Sequence, residues 1–283
     1  MTTISAADGV ADSFADRTVW VTGCARGQGA RHVERFAAAG ARVGGIDNDE
    51  AGLQELATRV RAAGGTIETV CADVADWEAV AAAAERFRGS LGDVSVVVAN
   101  AGIVGEIASI ETIDVAAWRR IIDVNLTGAF HTVKVAIPQL RRRPDSAIVL
   151  VASAASYFAY PRYAAYCASK SGMMGLLRAA ANELGADGIR VNAICPGWVD
   201  TPMLDAEARA AGIPREQAVP GWVQEHIFKR LIDPDEISDA VLWLTSRSAR
   251  MITGTALSID GGQVAMTPSK SGKGGATVAE VSR

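Results

Sequence analysis

The sequence is poor in the features that identify metalloproteins, disulfide-bonded proteins and nucleic-acid-binding proteins. Its 283 residues include four cysteines that stand far apart, with no CxxC pair and no cysteine–histidine cluster at metal-ligand spacing. Lysine and arginine number 28 against 32 aspartates and glutamates, so the net charge of −4 offers no basic excess. We therefore expect reduced thiols, no metal ion and no nucleic-acid partner.

Long apolar runs and targeting signals are also missing. No apolar run approaches the ~20 residues that span a bilayer. Residues 1–15 lack the cationic start and apolar core of a secretory signal. The final residues Val281-Ser282-Arg283 match no peroxisomal or retention signal. These absences predict a cytoplasmic protein with no membrane partner.

The sequence does contain a regular alternation of short β-branched runs and longer alanine-rich helical segments. Strands are predicted at 18–22, 42–46, 66–70, 94–98, 147–151, 189–194 and 256–259, and helices near 28–39, 50–63, 76–88, 114–141, 164–185 and 235–246. Such alternation is typical of βαβ units, in which helices cover both faces of a parallel sheet. The pattern predicts an α/β fold with one doubly wound, seven-stranded parallel sheet in a single domain.

Three segments depart from this alternation. Residues 1–16 form a short polar N-terminal lead, and residues 265–283 form a tail rich in glycine, serine and lysine that we expect to be flexible. Between them, residues 17–264 form the predicted catalytic domain. Its residues 198–230 are a long stretch interrupted by prolines, and such stretches in compact domains are more often functional lids than idle loops. We expect this segment to cover the substrate.

A glycine-rich turn connects the first predicted strand to the first helix. Gly23, Gly27 and Gly29 have the spacing G-x-x-x-G-x-G. A dinucleotide pyrophosphate needs close backbone N–H donors at a helix N-terminus, and glycine permits that approach. The spacing alone would also fit an ordinary tight turn. Its position between a strand and a helix favours a phosphate-binding turn, with Arg26 and Gln28 among the cofactor contacts.

Asp47 follows the second strand, about twenty residues after the glycines. A carboxylate there can accept hydrogen bonds from both ribose hydroxyls of an adenosine, and it would repel a 2′-phosphate. Arg26 favours the opposite preference, because it could pair with that phosphate. The acidic cluster Asp47, Asp49 and Glu50, with no basic residue until Arg59, favours NAD over NADP. Asp47 could alternatively be only the N-cap of the following helix.

Tyr166 and Lys170 lie four residues apart in a predicted helix, so their side chains share one face. Interconversion of an alcohol and a carbonyl needs a proton donor or acceptor beside the oxygen while hydride moves at the carbon. A free phenol has a pKa near ~10, and a nearby ammonium would lower that pKa toward neutrality. Ser153, after the fifth strand, is suited to bind the substrate oxygen. The tyrosines at 157–166 could alternatively form a packing strip, but only Tyr166 has a lysine four positions later.

The order of these motifs resembles the short-chain dehydrogenase/reductase family, in its single-domain NAD(P)-dependent branch. The resemblance rests on the glycine turn, Asn100-Ala101-Gly102 after the fourth strand, Ser153 and Tyr166-x-x-x-Lys170, and it covers roughly residues 16–264. It implies a Rossmann-type sheet, interconversion of an alcohol and a ketone, and a homotetramer built through helices 114–141 and 164–185.

The resemblance also implies the roles of individual residues. The catalytic residues would be Asn125, Ser153, Tyr166 and Lys170, with Asn125 positioning Lys170 through a water. Besides the glycine turn, Asp47, Tyr166 and Lys170, the cofactor contacts would be Asp73 and Val74 at the adenine, Asn100 beside the ribose, Gly102, and the segment with Pro196, Gly197, Val199 and Thr201 at the nicotinamide carboxamide.

The leading functional hypothesis is an NAD-dependent dehydrogenase of a weakly polar secondary alcohol, cyclic or aromatic. It rests on the apolar and aromatic residues expected around the substrate, which are Tyr160, Arg162, Tyr163, Trp198, Met203, Leu204, Trp222, Ile227 and Phe228. One alternative is an NADPH-dependent ketoreductase of the 3-ketoacyl type, which Arg26 supports. Another is a protein that holds NAD tightly, although the extra segment that such proteins carry after the second strand is missing. A non-catalytic dinucleotide sensor is the third, and the intact tyrosine–lysine pair argues against it.

Overall fold

Seven parallel strands form a single sheet in the computed structural model, which describes residues 14–210 and 212–266. The strands are β1 (Thr18–Thr22), β2 (Arg42–Asp47), β3 (Thr66–Cys71), β4 (Val96–Ala99), β5 (Ala147–Val151), β6 (Arg190–Pro196) and β7 (Ala256–Ile259). Their order in the sheet is β3-β2-β1-β4-β5-β6-β7, and every neighbouring pair is parallel. The predicted Rossmann-type sheet is confirmed.

Helices cover both faces of this sheet. In the described part of the chain they are α1 (Gly27–Ala38), α2 (Glu50–Ala62), α3 (Trp77–Leu91), α4 (Val115–Ile122), α5 (Gly128–Leu140), α6 (Ala164–Leu184), α7 (Pro202–Ala210), α8 (Arg215–Gln224) and α9 (Pro234–Thr245). The predicted helix at 114–141 is α4 and α5 joined by a π-helical stretch, Asp123–Thr127. A π-helical stretch keeps the helical path, so the sequence pattern does not reveal it.

Alternating side chains of the central strand supply two separate cores. Val19 and Val21 of β1 join the cluster that contains residues of α1, α2 and α9. Trp20, between them, joins the opposite cluster with residues of α3, α5 and α6, and its ring lies 5.8 Å from that of Phe87. Because successive strand residues face opposite sides, a strand buried on both faces is mostly apolar. This explains the apolar centre of β1, which Thr18 and Thr22 flank.

The segment 198–230 contains the helices α7 and α8, which the sequence pattern did not predict. Two of its prolines stand where a helix tolerates them. Pro202 is the first residue of α7 and Pro214 precedes α8, so neither removes an intrahelical hydrogen bond. Leu204, Ala208, Ala218 and Trp222 give the two helices a small apolar core of their own.

The two predicted terminal segments lie mostly outside the described residues, which exclude 1–13 and 267–283. The described part of the N-terminal lead contacts the domain. Phe14 is fully buried, with its ring 5.0 Å from the ring of Phe36. Within the described residues, no helix is both long enough and apolar enough to cross a bilayer.

The sheet order places a crevice at the ends of β1 and β4. The chain leaves β1 toward β2 and β3 on one side, and β4 then starts the other half of the sheet. In such sheets, ligands bind at the carboxyl ends of the strands where the order reverses. The candidate site is therefore expected at this edge.

Candidate active site

Two cavities that share part of their lining lie at the carboxyl ends of the strands. The larger, of about 610 Å³, is lined by the predicted residues Gly23, Arg26, Gly27, Gln28, Gly29, Asp47, Asp73, Val74, Asn100, Gly102, Tyr166, Lys170 and Thr201. The smaller, of about 70 Å³, adds Ser153, Pro196, Gly197 and Val199. Residues that line both cavities are Gln28, Ala152, Tyr166, Thr201, Met203 and Glu207. The fold thus brings together all the predicted site residues except Asn125, which lines neither cavity.

The glycine turn is too tight for larger residues. Gly23 has a φ of +65°, which favours glycine. A Cβ atom on Gly29 would lie 2.0 Å from the carbonyl oxygen of Gly23, so even alanine cannot fit without moving the turn. Asn100 holds the turn from β4, because its Nδ2 donates hydrogen bonds to the carbonyl oxygens of Thr22 and Gly23 at 3.0 and 2.8 Å.

The N-terminus of α1 has backbone donors that no side chain caps. Arg26, at its N-cap position, makes no capping hydrogen bond. Four other helices are each capped by an aspartate, namely Asp49 for α2, Asp76 for α3, Asp114 for α4 and Asp233 for α9. The side-chain oxygen of Gln28 beside the turn is buried without a partner among the described residues. Free N–H groups at a helix N-terminus fit a pyrophosphate.

Asp47 and Arg26 have different partners, and this difference bears on the choice of cofactor. The two carboxylate oxygens of Asp47 accept hydrogen bonds from the backbone N–H groups of Ala25, at 2.9 Å, and Asp49, at 3.0 Å. Asp49, and not Asp47, is the N-cap of α2. Arg26 pairs with the Asp49 carboxylate at 3.0 Å. A fixed acceptor at the end of β2 and an arginine already paired with a carboxylate fit an unphosphorylated ribose.

Asp73 and Val74 line the same cavity after β3. Burial would raise the pKa of Asp73. The backbone N–H of Ala75 and the Arg120 guanidinium, 2.6 Å away, hold that pKa below its usual range. Val74 is buried beside it, and its carbonyl oxygen accepts a hydrogen bond from His131 at 3.0 Å. The cavity therefore has an ionised carboxylate next to an apolar wall at this end.

Tyr166 and Lys170 lie on α6 and both face the larger cavity. The Lys170 Nζ atom donates a hydrogen bond to the carbonyl oxygen of Val151 at 2.9 Å. Burial lowers the pKa of Lys170 to about 8. Burial also raises the pKa of Tyr166, and the neighbouring Ser153 hydroxyl opposes that rise. The expected lowering of the phenol pKa is therefore wrong for this structure, because removal from water disfavours the phenolate more than its surroundings favour it.

Asn125 lies in the π-helical stretch and is fully buried. Its Oδ1 accepts a hydrogen bond from the backbone N–H of Ile103 at 2.8 Å, and its Nδ2 donates to the Ile103 carbonyl oxygen at 2.9 Å and to the Ser169 hydroxyl at 3.0 Å. Asn125 thus ties the loop after β4 to α6. Its predicted link to Lys170 stays a prediction. Irregular helical turns of this kind are frequent at functional sites.

The segment after β6 is held by a histidine that the sequence analysis missed. His226 is fully buried, and its Nδ1 donates to the Arg230 carbonyl oxygen at 2.7 Å. Its Nε2 accepts a hydrogen bond from the backbone N–H of Trp198 at 3.0 Å. A Cβ atom on Gly197 would lie 2.6 Å from that nitrogen, which explains the glycine. A lone histidine between Glu225 and Ile227 carries no sequence signal for this role.

The smaller cavity has the aromatic lining that was predicted, with exceptions. Of the nine predicted residues, Tyr160, Tyr163, Trp198, Met203 and Leu204 line it. Trp222 stacks on Trp198 instead, with ring centres 5.4 Å apart. The predictions for Arg162, Ile227 and Phe228 are wrong. Arg162 reaches the Ile107 carbonyl oxygen, while Ile227 and Phe228 are 55% and 72% exposed, and none of the three lines either cavity.

Glu207 is a pocket residue that the sequence analysis missed. It lies on α7, is only 6% exposed and lines both cavities. The hydroxyl of Tyr163 donates to its Oε2 at 3.5 Å, and burial raises its pKa to about 8. Spacing could have indicated it, since positions three and four apart share a helix face and Glu207 stands between the buried Leu204 and Ala208.

The cysteines have no catalytic or metal-binding arrangement in the described part of the chain. All four are free, and only Cys71 is exposed. Burial raises the pKa of the Cys24 thiol in the glycine turn, so this cysteine is not a reactive thiolate. Within the same residues, no group of three or more histidines, cysteines or acidic residues could hold a metal ion.

Known proteins with similar sequences and folds are dehydrogenases and reductases. A family model described as enoyl-(acyl carrier protein) reductase matches residues 23–263. Cis-4-hydroxycyclohexanecarboxylate dehydrogenase of Sinomonas cyclohexanicum is 37% identical over 256 residues, which cover 90% of this chain and 99% of that protein. The 3beta-hydroxysteroid dehydrogenase 1 of Eggerthella lenta is 38% identical over 260 residues, which cover 89% and 95%.

A solved structure agrees with the sequence comparisons. Carveol dehydrogenase from Mycobacterium avium in complex with NAD superimposes with a TM-score of 0.86 at 34% identity, over 90% of this chain and all of that one. The family match spans most of the chain, and the relatives are aligned over nearly their whole length. The chain therefore belongs to the short-chain dehydrogenase/reductase family, as an NAD-dependent oxidoreductase that acts on CH–OH groups.

Proposed function

We propose that this protein interconverts a cyclic secondary alcohol and its ketone, with Tyr166 as the general acid and base. The observation that carries this proposal is that Tyr166 lines both the larger cavity, which holds the glycine turn, and the smaller aromatic cavity. A proton-transfer group has to stand between cofactor and substrate. The names of the relatives support a ring substrate, since they refer to a hydroxycyclohexanecarboxylate, a hydroxysteroid and carveol.

Each group of predicted cofactor-binding residues would hold a different part of NAD. The uncapped N-terminus of α1 would bind the pyrophosphate, and Asp47 would accept hydrogen bonds from the adenosine ribose hydroxyls. Asp73 and Val74 would hold the adenine. The segment 196–201, fixed by His226, would hold the nicotinamide carboxamide. Bound NAD supplies the hydride acceptor for alcohol oxidation.

The chain's own residues would transfer the proton and hold the substrate oxygen in place. In alcohol oxidation, the ionised Tyr166 takes the proton of the substrate hydroxyl, and in ketone reduction the neutral phenol returns it. Ser153 would donate a hydrogen bond to the same oxygen and hold it beside Tyr166. The Lys170 ammonium, fixed by the Val151 carbonyl, favours the phenolate electrostatically. Asn125 would act as a positioning residue through Ile103 and α6.

The alternatives have less support. The ion pair between Arg26 and Asp49 engages the arginine that favoured NADPH and a 3-ketoacyl ketoreductase. Only two residues separate β2 from α2, so the extra segment of the tight-binding branch is missing there. A non-catalytic sensor would not need a buried lysine beside a tyrosine that faces both cavities.

A panel of alcohols and ketones with both cofactors tests the proposed function. We expect NAD reduction, followed at 340 nm, with cyclic secondary alcohols, and much slower reduction of NADP. Linear primary alcohols and 3-ketoacyl thioesters serve as comparison substrates. Turnover of the thioesters with NADPH, without turnover of ring alcohols, would replace this proposal with the ketoreductase.

We propose that the protein assembles as a homotetramer through α4, α5 and α6. Val115 on α4 and Phe130 on α5 are exposed apolar side chains, and such side chains are candidates for subunit contacts. Light scattering coupled to size-exclusion chromatography should give four times the chain mass of 29.5 kDa. A monomer at micromolar concentration would contradict this assembly.

A further inference from the structure

Glu207 is a buried acidic residue in the substrate region that the proposed reaction does not use. Among the described residues that line the smaller cavity, it is the only acidic one, and that lining includes no lysine or arginine. The other lining residues are aromatic, apolar or neutral. Burying a carboxyl group in such surroundings without hydrogen-bond partners costs free energy, so its presence there calls for an explanation.

The carboxyl group of Glu207 has one weak side-chain partner. The Tyr163 hydroxyl donates to Oε2 at 3.5 Å, the outer limit of a hydrogen bond. In the described part of the chain, Glu207 forms no ion pair. A carboxyl group can make several hydrogen bonds, so most of its capacity remains for a bound molecule. Glu207 and Tyr166 line the same two cavities, so that capacity is available to a molecule bound beside Tyr166.

The electrostatic surroundings of Glu207 select the kind of group that can meet it. Burial raises its pKa to about 8, so the group is largely protonated at neutral pH. A substrate hydroxyl both donates and accepts, and it therefore pairs with either form of the carboxyl. A substrate carboxylate in the smaller cavity would lose its hydration and find no lysine or arginine there to compensate, and the ionised form of Glu207, which becomes the main form above about pH 8, would repel it.

We propose that Glu207 is a specificity-determining residue that binds a second, neutral hydroxyl group on the ring of the substrate and disfavours substrates that carry a carboxylate. This inference rests on the proposed function and narrows it to ring diols and comparable hydroxylated rings. It also separates this chain from its relative that is named for a hydroxycyclohexanecarboxylate.

Three matched ring alcohols test the inference, namely cyclohexanol, cyclohexane-1,4-diol and 4-hydroxycyclohexanecarboxylate, each measured as kcat/KM with NAD. At about pH 9, where the Glu207 carboxyl is mostly ionised, we expect kcat/KM of the wild type for the diol to exceed that for cyclohexanol by about tenfold or more, which corresponds to one hydrogen bond to a charged group. Glu207→Leu should erase that preference, with kcat/KM for the diol falling about 10–100-fold and cyclohexanol changing less than about threefold. Glu207→Gln keeps a donor and an acceptor, so it should retain the diol preference and improve the carboxylate.

Glu216→Leu is the matched control, because Glu216 is an exposed glutamate in the same lid that lines neither cavity. Glu216→Leu should leave kcat/KM for all three ring alcohols unchanged. If the circular dichroism melting curve shows that Glu207→Leu does not fold, Glu207→Gln provides the test. The ratio of kcat/KM for the carboxylate to kcat/KM for the diol should then be higher in Glu207→Gln than in the wild type, and an unchanged ratio overturns the inference.

Two outcomes separate this inference from the proposed function. Turnover of the ring alcohols with equal losses for diol and cyclohexanol in Glu207→Leu, or a wild-type preference for the carboxylate, would overturn the role of Glu207 alone. Absence of NAD reduction with every ring alcohol in the wild type would overturn the proposed function, and the role of Glu207 with it.

Discussion

The Nζ atom of Lys170 lies 5.7 Å from the centre of the Tyr166 ring, one helical turn away on α6. Its hydrogen bond to the Val151 carbonyl oxygen fixes it at the end of β5. Lys170 is buried and Tyr166 is partly buried, so the charge of one acts on the other with reduced screening. The proposed roles of the two side chains can be tested one residue at a time.

Tyr166→Phe should abolish turnover and spare cofactor binding. The substitution removes only the hydroxyl group, and a positioned acid or base contributes about 10²–10⁴-fold to a rate. We expect kcat to fall by at least this factor, while the Kd for NAD from fluorescence titration stays within about twofold, since the backbone turn and Asp47 are untouched. Tyr157→Phe is the matched control, because the Tyr157 hydroxyl bonds to the Ala256 carbonyl oxygen and lines neither cavity. Full activity in Tyr166→Phe would remove this residue from the mechanism.

The two reaction directions should have opposite pH dependences. Burial raises the pKa of Tyr166, so the phenol stays protonated at neutral pH. Alcohol oxidation needs the phenolate and should accelerate from pH 6 toward pH 10. Ketone reduction needs the phenol, so it should stay level through neutral pH and decline only on the alkaline side. Initial rates in both directions, in buffers of constant ionic strength, give the two profiles. Ketone reduction that falls already between pH 6 and 7 would contradict the raised phenol pKa.

Asp47 should control the preference for NAD over NADP. Asp47→Asn removes the negative charge and should lower kcat/KM for NAD by about tenfold, since hydrogen bonds to charged groups contribute about 1.5–3 kcal/mol. The value of kcat/KM for NADP should fall less or should rise, because repulsion of the 2′-phosphate is relieved. Asp49→Asn is the informative control, since it weakens the ion pair that engages Arg26 and leaves Asp47 in place. An unchanged cofactor ratio in Asp47→Asn would show that Asp47 only supports the turn through Ala25 and Asp49.

The sequence predicts the sheet and the cofactor side of the site better than the substrate side, for physical reasons. β5 and the centre of β1 are continuous apolar runs because both faces are buried, and this requirement is visible in the sequence. The glycine turn likewise follows from local geometry. The lid helices were missed because Pro202, Pro214 and Pro220 suggested interruption, whereas two of them fit helix starts.

The predictions that failed on the substrate side depend on burial and tertiary contact. Ile227 and Phe228 are apolar, yet they face outward, and Glu207 is an acidic residue, yet it faces inward. Hydrophobicity alone gives the opposite arrangement. The direction of the Tyr166 pKa was missed for a related reason, since spacing indicates a neighbouring ammonium but does not indicate how far the phenol is removed from water.

Asn125→Ala should loosen the loop after β4 and reduce turnover. The asparagine side chain satisfies both the N–H and the carbonyl oxygen of Ile103, and leaving a buried polar group unpaired costs about 1–3 kcal/mol. We expect a lower melting temperature and a fall in kcat larger than the change in KM for the alcohol. Ser169→Ala removes the acceptor of one Asn125 hydrogen bond and the donor to the Tyr166 carbonyl oxygen but leaves both bonds to Ile103 in place, so its effect on the loop should be smaller. A lower melting temperature of Asn125→Ala without any change in kcat would limit Asn125 to a structural role.

Gly29→Ala should weaken NAD binding, because the alanine methyl group has no room in the present turn. Its Cβ would lie 2.0 Å from the Gly23 carbonyl oxygen and 2.6 Å from the Asn100 amide nitrogen, so the turn would have to move away from β4. That movement would displace the N–H groups at the start of α1, and we expect the Kd for NAD to rise at least about tenfold, as the loss of one or two hydrogen bonds to a charged group requires. Gly89→Ala is the matched control, because Gly89 is an exposed residue of α3 with nothing within 4 Å of its added Cβ. In a helix alanine is favoured over glycine by up to about 1 kcal/mol, so this variant should melt at an equal or higher temperature and bind NAD normally. Normal NAD affinity in Gly29→Ala would mean that the turn tolerates a side chain and that the phosphate contacts lie elsewhere.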